Sequence, residues 1–159
     1  MKSCAFTGHR QISAHHSAAL PQLIDRAVRY AYGEGCRTFL SGGALGFDTL
    51  AARSVLRLKG ECADVRLVLI LPCRDQAAHW RAEDVLAYRE MLDAADEIIY
   101  ISGAYTDTCM KERNAALVDR ADMLVAYVGR YASGAYQTVS IAKKKGIPVY
   151  NLYPRLEGK

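Results

Sequence analysis

Apolar runs of strand length alternate with longer amphipathic stretches along the whole chain. The short runs fall at residues 3–7, 38–41, 65–71, 97–101, 123–128 and 148–152. Between them, residues 17–33, 47–59, 78–94, 111–120 and 135–145 carry helical spacing. In the first of these, Leu20, Leu23, Ile24, Ala27, Val28 and Ala31 recur at intervals that line one helix face. Val85, Tyr88 and Leu92 do the same in the third. The run Val65-Arg66-Leu67-Val68-Leu69-Ile70-Leu71 is apolar almost without alternation, which suits a strand covered on both faces.

Strict alternation of such strands with helices predicts an α/β fold of the Rossmann-like, doubly wound kind. It should hold a mostly parallel sheet of about six strands with helices on both faces. The chain shows no linker, repeat or low-complexity tract, so residues 1–159 are expected to form one domain, with residues 154–159 fraying. Its 159 residues, 51% hydrophobic and 24% charged, suit a globular protein able to bury a core without staples. Five scattered cysteines (Cys4, Cys36, Cys62, Cys73, Cys109) form no C-x-x-C pair. They read as reduced core thiols rather than a secreted framework or a zinc knuckle. No apolar run approaches the roughly 18 residues of a membrane span. Residues 1–6 lead straight into a strand with no leader expected, so the expected compartment is the cytoplasm. The net charge of +4 is mild and dispersed, and Lys143-Lys144-Lys145 reads as a solvated helix face. Neither nucleic acid nor a membrane is expected as a partner.

In open α/β sheets, ligands bind beyond the carboxyl ends of the strands, where strand order reverses. The segments following the strands therefore carry the chemistry. After the first comes Thr7-Gly8-His9-Arg10, with a glycine for close approach and a guanidinium fork suited to phosphate. After the second comes Ser41-Gly42-Gly43-Ala44-Leu45-Gly46-Phe47-Asp48, the strongest local signal. Glycines between a strand and a helix expose N–H groups beside a helix N-terminus, a cradle for an anion. The alternative is a tight turn with Asp48 as helix cap. It is neither a strict G-x-G-x-x-G nor a P-loop, because no Gly-Lys-Ser/Thr follows. Pro72 ends the third strand, followed by Gln76 and Trp80, a ring that either stacks on a base or anchors its helix. Arg113 and Asn114 open the fourth helix, and Gly134 with Thr138 opens the fifth. Several such loops converging on one sheet edge argue for a site. His9, His15 and His16 lack metal-ligand spacing, and adjacent histidines do not point one way on a helix or strand. No metal and no cofactor are expected.

The ordered set Thr7-Gly8-His9-Arg10, Ser41-Gly42-Gly43-Ala44-x-Gly46-x-Asp48, Pro72, Gln76/Trp80, Met110-x-x-Arg113-Asn114 and Gly134-x-x-x-Thr138 resembles the SLOG superfamily, within it the YpsA-like branch. The similarity spans nearly the whole chain. It implies a nucleotide or nucleotide derivative as ligand, often held by a homo-oligomer. The superfamily includes the LOG phosphoribohydrolases, whose Met-His-Glu-Arg-Lys segment looks like Met110-Lys111-Glu112-Arg113-Asn114. Arg113 is thus the residue to which a catalytic role carries over. In those enzymes a glycine-rich segment is followed by glutamates, whereas here the corresponding stretch, residues 132–140, has no carboxylate after Thr138. The leading expectation is therefore a module that senses, carries or sequesters a nucleotide-type ligand. The alternatives are an N-glycoside hydrolase acting on nucleoside monophosphates and a DprA-like single-strand DNA binder.

Overall fold

The computed structural model describes residues 2–158. Six strands, β1 (Lys2–Gly8), β2 (Cys36–Ser41), β3 (Arg66–Cys73), β4 (Glu97–Ser102), β5 (Met123–Tyr127) and β6 (Val149–Asn151), form one sheet in the order β4-β3-β2-β1-β5-β6. Every pairing is parallel. The connections carry α1 (Leu20–Gly33), α2 (Phe47–Glu61), α3 (Ala82–Ala94), α4 (Cys109–Arg120) and α5 (Gly134–Lys145), and a short α6 (Tyr153–Leu156) follows β6.

Successive strand side chains point to opposite faces, so burial of both faces requires apolar residues at every position. Leu67, Leu69 and Leu71 join Phe6 and Phe39 against α1, α2 and α3. Val68 and Ile70 join Ala5 and Leu124 against α4 and α5 on the other face. The chain winds outward from β1 to β4 along one face. It then returns through α4 across the other face to place β5 against the free edge of β1. Strand order thus reverses between β1 and β5, and the crevice at their carboxyl ends is where a ligand site is expected.

Several boundaries differ from the sequence pattern. Residues 14–19 form turns, and α1 begins at Leu20 with Pro21 in its first turn, where a missing N–H costs nothing. Residues 74–79 are also turns and Trp80 is a bend, because Arg81 is extended (ψ 155°) and α3 starts only at Ala82. The tail does not fray through residue 158: α6 forms, and Glu157 accepts from His15 and His16 at 3.0 Å each. Lys159 lies outside the described residues. All five cysteines are free thiols, four of them buried. No helix among the described residues is long and apolar enough to cross a membrane.

Candidate functional site

At the β1/β5 reversal lies a cavity of about 500 Å³, within the ~300–1,000 Å³ typical of small-molecule sites. Its walls include Thr7 and Gly8 at the end of β1, Arg10 beyond it, Asp48 at the start of α2, Arg113 and Asn114 on α4, and Gly134 opening α5. Segments up to 127 positions apart in the chain meet here because β5 returns beside β1. Ser41, Gly42, Gly43, Gly46, Pro72, Trp80 and Thr138 do not line it.

Arg113 is 6% exposed, and its fork is held from behind. Nη1 donates to the Gly42 carbonyl at 2.6 Å and Nε donates to Asn114 Oδ1 at 2.8 Å. Nη2 has no protein partner among the described residues, so a donor is left for a guest. A Cβ on Gly42 would lie 2.5 Å from Nη1 and 3.0 Å from Asp48 Oδ2, so only glycine lets the guanidinium pack there. Of the three glycines whose N–H groups the sequence reading offered to an anion, Gly43 has its N–H engaged within the loop. The loop turns inward: Gly43 N–H donates to Ser41 Oγ, and Ala44 N–H donates to Asp48 Oδ2, each at 3.2 Å. Gly46, at φ +77°, lets this loop meet the β1 segment, where a Cβ would sit 2.1 Å from the Arg10 carbonyl oxygen.

Helix α5 brings open backbone donors to the cavity wall, which Gly42, Gly43 and Gly46 do not line. Ser133 caps it, accepting the Tyr136 N–H at 3.1 Å. The Gly134 and Ala135 N–H groups have no partner among the described residues and border the cavity. A helix N-terminus with unpaired N–H groups favours a negative guest. Thr138, which follows Gly134 by one helical turn, is fully buried and donates to the Gly134 carbonyl at 3.0 Å. Trp80 packs edge-on to Tyr88 with ring centroids 5.1 Å apart and leans on the core, anchoring its segment instead of reaching the cavity.

The electrostatics are lopsided. Arg10, Arg113 and Arg130 line the cavity, and none is in an ion pair among the described residues. Asp48, 5% exposed, is the one carboxylate among the described lining residues. Burial pushes its pKa up to about 6, against the opposing pull of Arg113, the Ala44 N–H and Arg10. Its Oδ1 is buried without a hydrogen-bond partner. Such an oxygen suits a ligand hydroxyl. The raised pKa means that folding stability from this group is complete below its unfolded value and declines as pH rises through about 6. The same proton governs an anionic guest. A phosphodiester, whose own charge is fixed, should bind about fivefold more tightly at about pH 5.5 than at about pH 7.5 as Asp48 neutralises. Asp48→Asn should flatten most of that profile in calorimetry. An unchanged slope would remove Asp48 from the site.

Sequence reasoning passed over His9 and Arg130 as ligand groups. His9 is 6% exposed, and its Nε2 accepts the Gly129 N–H at 2.8 Å, which puts the ring proton on Nδ1. Burial and then Arg130 lower its pKa, so the ring is a neutral donor beside the guanidiniums. Arg130 had no motif around it; only the β1/β5 adjacency brings it near Arg10. The other two histidines do point together, against expectation, because they sit in turns. Their ligating atoms and those of Glu157 lie within 4.8 Å of one another. A relay satisfies the buried ring: Tyr127 O–H donates to His16 Nδ1 at 2.7 Å, and Nε2–H donates to Glu157 at 3.0 Å.

Fold and crevice together define a Rossmann-like α/β protein with an arginine-lined switch-point cavity. The chain belongs to the YspA SLOG family, whose model matches residues 5–152. It is 28% identical over 151 residues to the SPbeta prophage-derived protein YoqJ of Bacillus subtilis (strain 168), covering 86% of this chain and 84% of that one. Among solved structures it resembles DNA processing protein A from Helicobacter pylori, described for its single-stranded DNA binding mode (TM-score 0.68, 18% identity, 93% of this chain). It also resembles DNA processing protein A (DprA) from Streptococcus pneumoniae (TM-score 0.67, 16% identity, 94% of this chain). The chain spans 63% and 49% of those two chains.

Proposed function

We propose that this protein binds a nucleotide or nucleotide-derived anion in the β1/β5 crevice, to sense, carry or sequester it. The observation that carries this reading is the cavity itself. Three guanidiniums that form no salt bridge, and two α5 N–H groups without a partner, both among the described residues, line the same space as a buried carboxylate with an unpartnered oxygen. Arginines and α5 would hold phosphate, and Asp48 would accept from a ribose hydroxyl. Calorimetry with AMP, ADP-ribose and cyclic nucleotides should find a saturable ligand. Heat of dilution alone across the panel would reject the proposal.

Two other readings receive support from particular observations. The hydrolase alternative lacks a carboxylate after Thr138 in residues 132–140, yet Asp48 shares the cavity with Arg113 and has a free oxygen. A carboxylate so placed could stabilise the cationic sugar while water adds to C1′ and the base departs with a proton. Free base released from AMP by the wild type, and lost in Asp48→Asn, would favour this over simple binding. The expectation against nucleic acid rested on the dispersed net charge and needs correction. Two similar folds are DNA-processing proteins, and three arginines concentrate locally what the overall charge spreads out. A short single strand belongs in the same titrations, where binding through phosphates weakens steeply with salt.

A further inference from the structure

The arginine-lined cavity is not closed on the side of Arg130. A second cavity of about 510 Å³ opens beyond it, on the outer side of the loop between β5 and α5. A smaller space of about 220 Å³ lies between them, sharing His9, Gln11 and Arg130 with the first cavity and Arg130 and Tyr153 with the second. Arg130 thus forms part of the wall of all three. Its backbone is pinned, because its carbonyl accepts from the capping Ser133 hydroxyl at 3.0 Å.

The second cavity differs in chemistry from the first. Three tyrosines, Tyr131, Tyr136 and Tyr153, line it, with Lys143. Tyr131 is 82% exposed and meets Tyr136 edge-on, with centroids 5.1 Å apart. Tyr153 packs onto the backbone at Gly129, its N–H bonded to Asn151 Oδ1 at 3.2 Å. Asn151 in turn exchanges two hydrogen bonds with the Val128 backbone, at 2.9 and 3.0 Å. This wall is therefore held by named contacts. An exposed tyrosine beside a second ring offers a face on which a base stacks.

We infer that the ligand is a dinucleotide: two nucleosides joined through phosphate. One nucleoside lies in the arginine cavity, the bridging phosphates lie against Arg130, and the second base lies on the tyrosines. The inference rests on the nucleotide-binding reading above and adds the length and two-ringed nature of the guest. Two cavities of nearly equal size, sharing one unpaired cation at their junction, match two nucleosides flanking a phosphate bridge.

The test is calorimetry of the full chain with AMP and with diadenosine diphosphate. The dinucleotide should bind about tenfold more tightly, since one stacked base contributes roughly five- to 150-fold. Tyr131→Ala, at an exposed position, should bring the dinucleotide down to the affinity of AMP while leaving AMP unchanged. Tyr131→Phe should retain the preference. Equal affinity of the two compounds, or an equal loss for both in Tyr131→Ala, would overturn this inference and leave the nucleotide-binding reading standing. Silence from both compounds would overturn both. A short thymidine single strand that binds more tightly than the dinucleotide would overturn it in favour of a nucleic-acid strand.

Discussion

Replacing Arg113 with alanine weakens binding of a nucleotide-type anion by about 3 kcal/mol, roughly 150-fold, as read by calorimetry. Arg113 is the most buried of the three cationic groups and the one whose direction the fold sets. Nη1 is bonded to the Gly42 carbonyl, Nε to Asn114 Oδ1, and Nη2 is left over. Removing the side chain deletes that donor and leaves the Gly42 carbonyl and Asn114 Oδ1 without their partner. It also takes away the cation that holds down the Asp48 pKa, so Asp48 takes up a proton at higher pH than in the wild type. Arg113→Lys restores the charge but not the fork. One ammonium cannot serve the loop carbonyl, the asparagine and the guest with the same geometry, so most of the loss remains. Wild-type affinity in Arg113→Ala would mean that the phosphate sits elsewhere.

Gly46→Ala carries the largest expected effect on stability. The new methyl would lie 2.1 Å from the Arg10 carbonyl oxygen, against backbone that has no rotamer to yield, and the residue holds φ +77°. The expected cost is about 3–4 kcal/mol, which lowers Tm by about 10 °C. The loop that must move carries Arg10, so anion affinity falls as well. Gly60→Ala is the contrasting substitution. It lies within α2 with open space around it, and alanine there should raise stability by about 0.5–1 kcal/mol. Equal melting temperatures for Gly46→Ala and the wild type would show that the two loops do not meet as described.

The fold was legible because a strand buried on both faces leaves no polar alternation. Leu67 and Val68 point to opposite faces, yet both contact helices, so the run at β3 could belong only to a covered sheet. Tail order was not legible: nothing local marks residues 154–158, which are fixed by Glu157 reaching residues 15 and 16 across the chain. Thr7, Gly8, Arg10, Asp48, Arg113, Asn114 and Gly134, singled out by their position at or after strand ends, all border one cavity. The contacts of the glycine loop were not legible, for a physical reason. A glycine announces that something must come close to the backbone, but not what that is. At Gly42 the side chain of Arg113, 71 residues away, occupies that space. Arg130 and His9 acquire their roles only from the pairing of β5 with β1, a relation no short motif encodes.

The most direct measurement is the titration of AMP followed through the backbone amide resonances of the ¹⁵N-labelled protein. The Gly134 and Ala135 amides should shift saturably, with the Arg113 side-chain N–H moving in step and the Gly43 amide staying close to its starting position. Saturable shifts at Gly43 with none at Gly134 and Ala135 would contradict the account, because the anion would then lie at the Gly43 N–H, which already donates to Ser41 Oγ.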